Sequence, residues 1–320
     1  MIRHADYVPH GVIPAVILPF TPDLDIDERN FRRHLAHVAA TPGISAITVN
    51  AHSTEAASCT LDEQARVMEI AQSEIGARLP LVHGVYADGS LEAARIAAQA
   101  ARLGASALLV FPPGPFTMGH RPEMVIEHFR RVADGAPDMP IIAFNYPLAI
   151  GQGYTTEMIV RLAEAVPTVR AIKDWCNDAK QYEENVRLLQ GLPRPVNVLS
   201  THSAWLFPSL VLGAKGLLSG SGSVIADLQA QLFAAVQRKD LAEAQRINDR
   251  IWPTAQAFYA RPSVDMHNRM KEALVLLGRI DCAAVRPPLM KLDAVEIARV
   301  RAALVAAGLL DGPQRRVAAE

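Results

Sequence analysis

The segment VRAIKDW at 169–175 is a short apolar run that ends in Lys173 and Asp174. Read as a buried strand, its alternation puts Val169, Ala171 and Lys173 on one face. An ammonium group in an apolar interior is destabilised, so burial lowers the lysine pKa and favours the free amine. A neutral amine attacks carbonyl carbon, and the product is a Schiff base. The competing reading is a lysine that lays its stem along the strand and reaches out to Asp174 or a loop carboxylate. Residue type and position leave both open.

Other residues that stand at the ends of similar apolar runs are Pro19, His52, Ser53, His83, Tyr86, Phe144, Tyr146, Thr201, His202, Ser219 and Ser221. Three of these are imidazoles, His52, His83 and His202, which raises zinc as an alternative. No HxH or HExxH spacing supports it, so no metal site is expected and the histidines read as hydrogen-bonded structure. The Gly-Ser-Gly run at Ser219–Ser223 sits where a barrel often holds phosphate.

The runs that carry these residues are Val12–Phe20, Ala46–Val49, Leu81–Val85, Ala107–Phe111, Ile141–Phe144, Val169–Ile172, Val196–Leu199 and Gly216–Leu218. Between them lie patterns such as FRRHLAHVAA and LEAARIAAQAARLG, with apolar residues at helical spacing. Asp27, Ser90 and Thr155 stand where helix N-caps belong, and Gly43, Gly104 and Gly213 where helices must end. Strands apolar on both faces, each followed by one helix, imply a parallel sheet with right-handed crossovers. Eight units fit a closed (β/α)8 TIM barrel, whose strand ends gather in one mouth. No GxGxxG follows the first strand, which speaks against a dinucleotide fold. From residue 225 the pattern is purely helical. The chain therefore divides into a barrel over 1–224 and a helical extension over 225–320 that packs on it, with a polar tail, GPQRRVAAE, expected to fray.

Composition sets the outer bounds. Of 320 residues 50% are hydrophobic, enough for one large core, and the net charge of −1 gives no reason to expect nucleic acid or an anionic membrane as partner. No uninterrupted apolar run is long enough to span a bilayer, and the first residues lack the apolar stretch of a secretory signal. Cys59, Cys176 and Cys282 form no ligand cluster and read as free thiols, two or three of them buried, in a cytoplasmic protein.

Several co-linear segments resemble the dihydrodipicolinate synthase / N-acetylneuraminate lyase family of class I aldolases. They are IPAVILPFTP at the first strand, AIKD around Lys173, FNYP at Phe144–Pro147 and LGAKGLLSGSGSV near the eighth strand. The resemblance runs from Gly11 to Leu310. It implies a barrel with Lys173 as the Schiff-base lysine, a homo-oligomer (tetramer or dimer), and a pocket for a small keto acid lined by Tyr146, Thr201, Ser219 and Gly220. It also favours a keto-acid wall over a phosphate site at Ser219–Ser223.

Three departures qualify what is implied. The family's Gly-x-x-Gly-Glu turn is here Ala51-His52-Ser53-Thr54-Glu55, so His52 and Ser53 inherit the carboxylate-binding position. The family tyrosine that relays protons is replaced by Phe144, which neither donates nor accepts; Ser53, Tyr146, Tyr86 and His83 are the candidates to stand in. The arginine that dihydrodipicolinate synthases use for a second carboxylate has no counterpart in Leu148-Ala149-Ile150-Gly151. The expected activity is thus a lyase, aldolase or dehydratase, acting on pyruvate, a longer 2-keto acid or a keto-deoxy sugar acid, and not the lysine-biosynthesis reaction. Lysine supplies the electron sink, so no cofactor is called for. Two alternatives remain: a keto-acid-binding barrel that lost catalysis with its tyrosine, and a metal-dependent barrel hydrolase or aldolase.

Overall fold

The computed structural model of the chain describes residues 4–201 and 203–311. The strands are β1 (Gly11–Pro14), β2 (Ile47–Val49), β3 (Leu81–Val85), β4 (Ala107–Val110), β5 (Ile141–Asn145), β6 (Val169–Asp174), β7 (Asn197–Ser200) and β8 (Gly216–Ser219). All pair in parallel: β2 through β8 each with its sequence neighbour, and β8 with β1. Backbone bonds from Ser45 to Val12 (2.9 Å) and from Val16 to Thr48 (3.0 Å) bring β1 against β2. The sheet is thus wound into a (β/α)8 barrel. Of the first run only Val12–Pro14 is strand, with Gly11 added before it, and the chain then leaves the ladder toward Pro19 and the turn at Thr21–Asp25.

The helices between strands are α1 (Glu28–Ala39), α2 (Leu61–Ile75), α3 (Ser90–Arg102), α4 (Pro122–Gly135), α5 (Thr156–Ala165), α6 (Ala179–Gln190) and α7 (Leu206–Val211). After β8 come α8 (Gly222–Gln237), α9 (Leu241–Phe258), α10 (Met266–Leu276) and α11 (Ala294–Ala306). Asp27 and Thr155 cap α1 and α5 with their side chains. Ser90 does not cap α3: Gly89 holds the cap position, and the Ser90 hydroxyl bonds His128 Nδ1 instead (3.0 Å). The polar tail and His202 lie outside the described residues.

Alternation splits the apolar side chains into two layers. Ile13, Val82, Leu109, Ile142, Ala171, Leu199 and Leu218 fill the barrel, whereas Val12, Ile47, Leu108, Ile172, Val198 and Leu217 pack under the helices. Val169 belongs to the outer layer, contrary to simple alternation with Ala171. The β5–β6 register shifts between Ile141 and Ile142, so that Ile141 pairs with Val169 and Ile142 with Ala171. The irregularity reverses the parity of β6 at Arg170 and aims Ala171 and Lys173 inward.

The C-terminal helices share the outer core through Ile247, Phe258, Met270, Leu274, Val300 and Leu304. Two ion pairs fasten this region to the segment after β2. Lys271 Nζ bonds the Glu55 carboxylate and the Ala284 carbonyl (2.7 Å) and lies 4.2 Å from the Phe20 ring centroid. Arg286 bonds Glu63 (2.6 Å) and the carbonyls of Leu24 and Ser58 (both 2.8 Å), while its own N–H donates to Glu55 Oε2 (3.0 Å). The cysteines are free; only Cys176 is buried, and Cys59 and Cys282 are half-buried. Among the described residues no helix is long and apolar enough to cross a membrane.

Candidate active site

Lys173 lies at the end of β6 with 7% of its surface exposed. Its Nζ stands 4.0 Å from the centroid of the Phe144 ring, its partner across the β5–β6 register, and it makes no ion pair with a described residue. Burial brings its pKa from 10.5 down to about 7. Asp174 points the other way. Its Oδ1 accepts from Asn145 Nδ2 (3.1 Å) and the Cys176 N–H (2.9 Å), and its Oδ2 from Asn185 Nδ2 (2.7 Å). The lysine that reaches outward to Asp174 is therefore not what the chain builds.

His52 and Ser53 form a single 3-10 turn after β2, closed by N–H bonds from Thr54 to Ala51 (3.1 Å) and from Glu55 to His52 (3.0 Å). The turn comes close to β3 because residue 84 is glycine; a Cβ there would lie 2.0 Å from the Asn50 carbonyl oxygen. Glu55 takes the left-handed conformation (φ 50°) without being glycine, held by Lys271 and the Arg286 N–H. The Ser53 hydroxyl is buried without a hydrogen-bond partner. A buried donor left unpaired is costly unless something else fills the role, and a carboxylate would.

Aromatic rings wall the mouth. Phe144 lies 4.4 Å from Tyr146 and 5.3 Å from Phe111, and His52 lies 4.5 Å from Phe111 and 5.3 Å from Tyr86. Trp175 closes on Tyr146 at 5.4 Å. Burial, aided by nearby Lys173, lowers the His52 pKa to about 3, and burial raises that of the Tyr146 phenol. Both are neutral near pH 7. Thr201 is buried one residue past β7, with the inward parity of Leu199.

Ser219 requires correction as a pocket residue. It follows the inward Leu218, so its side chain turns to the helix layer, where its Oγ meets Ser221 Oγ at 3.0 Å. Ser221 also accepts from Gln229 (2.9 Å), while Ser223 Oγ accepts from the Ile17 N–H (2.9 Å) and contacts His34 Nε2 (2.7 Å). The serines of the Gly-Ser-Gly run clasp the end of β8 to α8, to the segment after β1 and to α1. Gly220, between them, faces α10: a Cβ there would lie 3.0 Å from His267 Nε2 and 3.8 Å from Met270 Sδ. His83 is likewise removed from the mouth: it alternates with the inward Val82, and its ring lies 2.8 Å from Asn50 Nδ2 and 2.7 Å from the Gly84 carbonyl. Among the described residues no three His, Cys, Asp or Glu side chains gather to hold a metal ion.

One histidine beside the end of β8 is absent from the sequence-based candidates. His267, in the first turn of α10, sets its Nε2 3.0 Å from where a Cβ on Gly220 would stand. Its pKa is held well below 6.5, first by burial and then by the nearby His52, Lys173 and Lys271. Its one sequence signal is its spacing from Lys271, four residues on: two polar groups on one face of a helix read as ordinary packing.

A parallel barrel with a buried lysine in an aromatic mouth is the architecture of a (β/α)8-barrel lyase. The chain belongs to the dihydrodipicolinate synthetase family, which residues 8–307 match, and members of that family are lyases that act through a Schiff base. It is 27% identical over 300 residues to the 4-hydroxy-tetrahydrodipicolinate synthase of Maridesulfovibrio salexigens, covering 94% of this chain and 99% of that one. It is 30% identical over 288 residues to that of Salinibacter ruber, covering 90% and 92%. Among solved structures it superposes with a TM-score of 0.86 on YagE, an E. coli prophage protein of the dihydrodipicolinic acid synthase family in complex with pyruvate. That identity is 24%, over 94% of this chain and 99% of the other.

Proposed function

We propose that Lys173 condenses with C2 of pyruvate or a longer 2-keto acid, and that the chain is an aldolase or dehydratase of such an acid. The observation that carries this reading is the Lys173 Nζ, buried at the mouth, without a carboxylate among the described residues and against the face of Phe144. The amine attacks the ketone, water leaves, and the iminium accepts the electron pair released by C–C cleavage or by proton loss at C3. His52 and Ser53 hold the substrate carboxylate through the unpaired Ser53 hydroxyl and the backbone of their turn. Phe144, Tyr146, Thr201 and Gly220 shape the space beside the imine, and no cofactor is required. We read residues 1–224 as the barrel and 225–320 as the extension that braces it, in a cytoplasmic homo-oligomer.

The reaction proposed is not the one named for the curated relatives. Residues 148–150 form a 3-10 turn, Leu148-Ala149-Ile150, with Leu148 and Ile150 exposed and Gly151 closing it. No cation in that turn meets the carboxylate of a second substrate such as aspartate semialdehyde. A panel of 2-keto acids, trapped on the protein with borohydride and read by mass, tests the reading. Pyruvate and a subset of longer acids should add to the peptide containing Lys173, and aspartate semialdehyde with pyruvate should give no cyclised product. The same panel separates a second reading, which the phenyl ring at position 144 favours: a barrel that forms the imine with its keto acid yet turns nothing over.

A further inference from the structure

Alternation along the strands brings rings to the mouth from β4, β5 and β6 in succession. Phe111 and Trp175 stand one residue past β4 and β6, with the inward parity of Leu109 and Ala171, and Phe144 and Tyr146 take the same parity on β5. The rings form a path that starts at the amine. Lys173 Nζ lies 4.0 Å from the Phe144 centroid, Phe144 lies 4.4 Å from Tyr146, and Tyr146 lies 5.4 Å from Trp175. At Trp175 the path meets a cavity of about 360 Å³, which Trp205 and Trp252 also line. These are the three tryptophans of the chain.

Nothing in this cavity suits an anion. Its charged side chains are Asp174 and Asp178, and no lysine or arginine among the described residues lines it. Both carboxylates are committed to the fold. Asp174 accepts from Asn145, Asn185 and the Cys176 N–H, and Asp178 caps α6 through the Gln181 N–H (2.8 Å). They do not form a cradle for a row of substrate hydroxyls. A space of this size takes a small ligand, and indole and phenyl faces favour an aryl ring.

We propose that the carbonyl partner of the keto acid is an aryl aldehyde, whose ring runs from Lys173 along Phe144 and Tyr146 and seats in the tryptophan-lined cavity. The inference rests on Lys173 forming the imine. In the direction of addition, C3 of the pyruvate enamine forms a bond to the aldehyde carbon. The enamine nitrogen pair re-forms the C=N bond, and the C=O π pair moves to the aldehyde oxygen. The proton lost from C3 when the enamine formed is balanced by the one gained at that oxygen. Water then cleaves the iminium, which frees a 4-aryl-4-hydroxy-2-keto acid and returns the amine of Lys173. Cleavage runs the same steps in reverse.

Pyruvate with a panel of aldehydes, followed by mass detection of the 4-hydroxy-2-keto acid, tests this beside borohydride trapping on the full chain. The panel is benzaldehyde, acetaldehyde, glyceraldehyde and succinic semialdehyde, which offer a ring, a bare methyl, hydroxyls and a carboxylate. The kcat/KM for benzaldehyde should exceed those for glyceraldehyde and succinic semialdehyde about a hundredfold. Trp205→Ala should lower the benzaldehyde-to-acetaldehyde ratio about tenfold, and so should Trp252→Ala, at a half-exposed position that the core does not depend on. A general loss of folded protein lowers both rates alike and leaves the ratio unmoved. A hydroxylated or carboxylated aldehyde used as well as benzaldehyde would overturn the proposal, as would an unchanged ratio in either variant. A parent that traps pyruvate but joins it to none of the four overturns it while leaving the Lys173 imine intact. A parent that fails to trap removes the imine reading, and the aryl site with it.

Discussion

Lys173 and Phe144 are partners across the β5–β6 register, and the lysine Nζ stands over the phenyl ring at 4.0 Å from its centroid. A ring face attracts a cation but accepts no proton and forms no ion pair, so it offsets only part of the cost of burying an ammonium. The amine is left close to neutrality, with a pKa of about 7 where an ordinary lysine has 10.5.

The first consequence is a pH profile. Addition of pyruvate to Lys173 should speed up as pH rises toward about 7 and level off above it, because the reactive form is then fully populated. Timed borohydride quenches across pH check this. A rate that keeps climbing toward the ordinary lysine pKa would show a solvated amine.

A second consequence is for stability. The folded pKa of about 7 lies below the unfolded 10.5, so the unfolded chain binds the extra proton between those values. Stability from this group therefore rises with pH across that window, and the burial cost is largest at and below pH 7. Lys173→Met should be more stable than the parent by ~2–5 kcal/mol near neutrality, with the gap shrinking toward about pH 10. Urea unfolding of both proteins at the two pH values measures it.

Ser53→Ala should act oppositely on the free protein and on its complex. The hydroxyl is buried and unpartnered, so its removal should leave the free protein as stable or more stable by up to ~1 kcal/mol. Keto-acid affinity should fall about tenfold, the value of one charge-assisted hydrogen bond. Trapping yield against pyruvate concentration, together with a melting curve, reads both.

Glu55 and Lys271 join the turn after β2 to α10 as a buried ion pair. Removing one partner leaves the other charge buried, so Lys271→Met alone should cost about 3–5 kcal/mol. Glu55→Gln added to Lys271→Met should recover part of that loss. Denaturant midpoints of the two single variants and the double variant form the cycle that tests it.

The strands were legible because a parallel barrel buries both faces of each one, and eight apolar runs at single-helix spacing mark that arrangement. Leu81–Val85 has the same bounds in sequence and structure. Parity was less legible. Nothing in VRAIKDW announces the register shift at Arg170 that places Val169 outside and Ala171 inside, and Ser219 reads as a pocket residue until Leu218 takes the inward position. His267 was the least legible, because a helix beyond the barrel brings it beside Gly220 over a long span of sequence. Local spacing does not report such contacts; the Lys271–Glu55 pair that fixes this one joins residues 216 apart.

The most direct test of the central claim is borohydride reduction of the chain with pyruvate, followed by peptide mass analysis of the parent and of Lys173→Arg. The account predicts one stable adduct, on the peptide containing Lys173, and none in the variant. An unmodified parent, or an adduct that persists in Lys173→Arg, would contradict it.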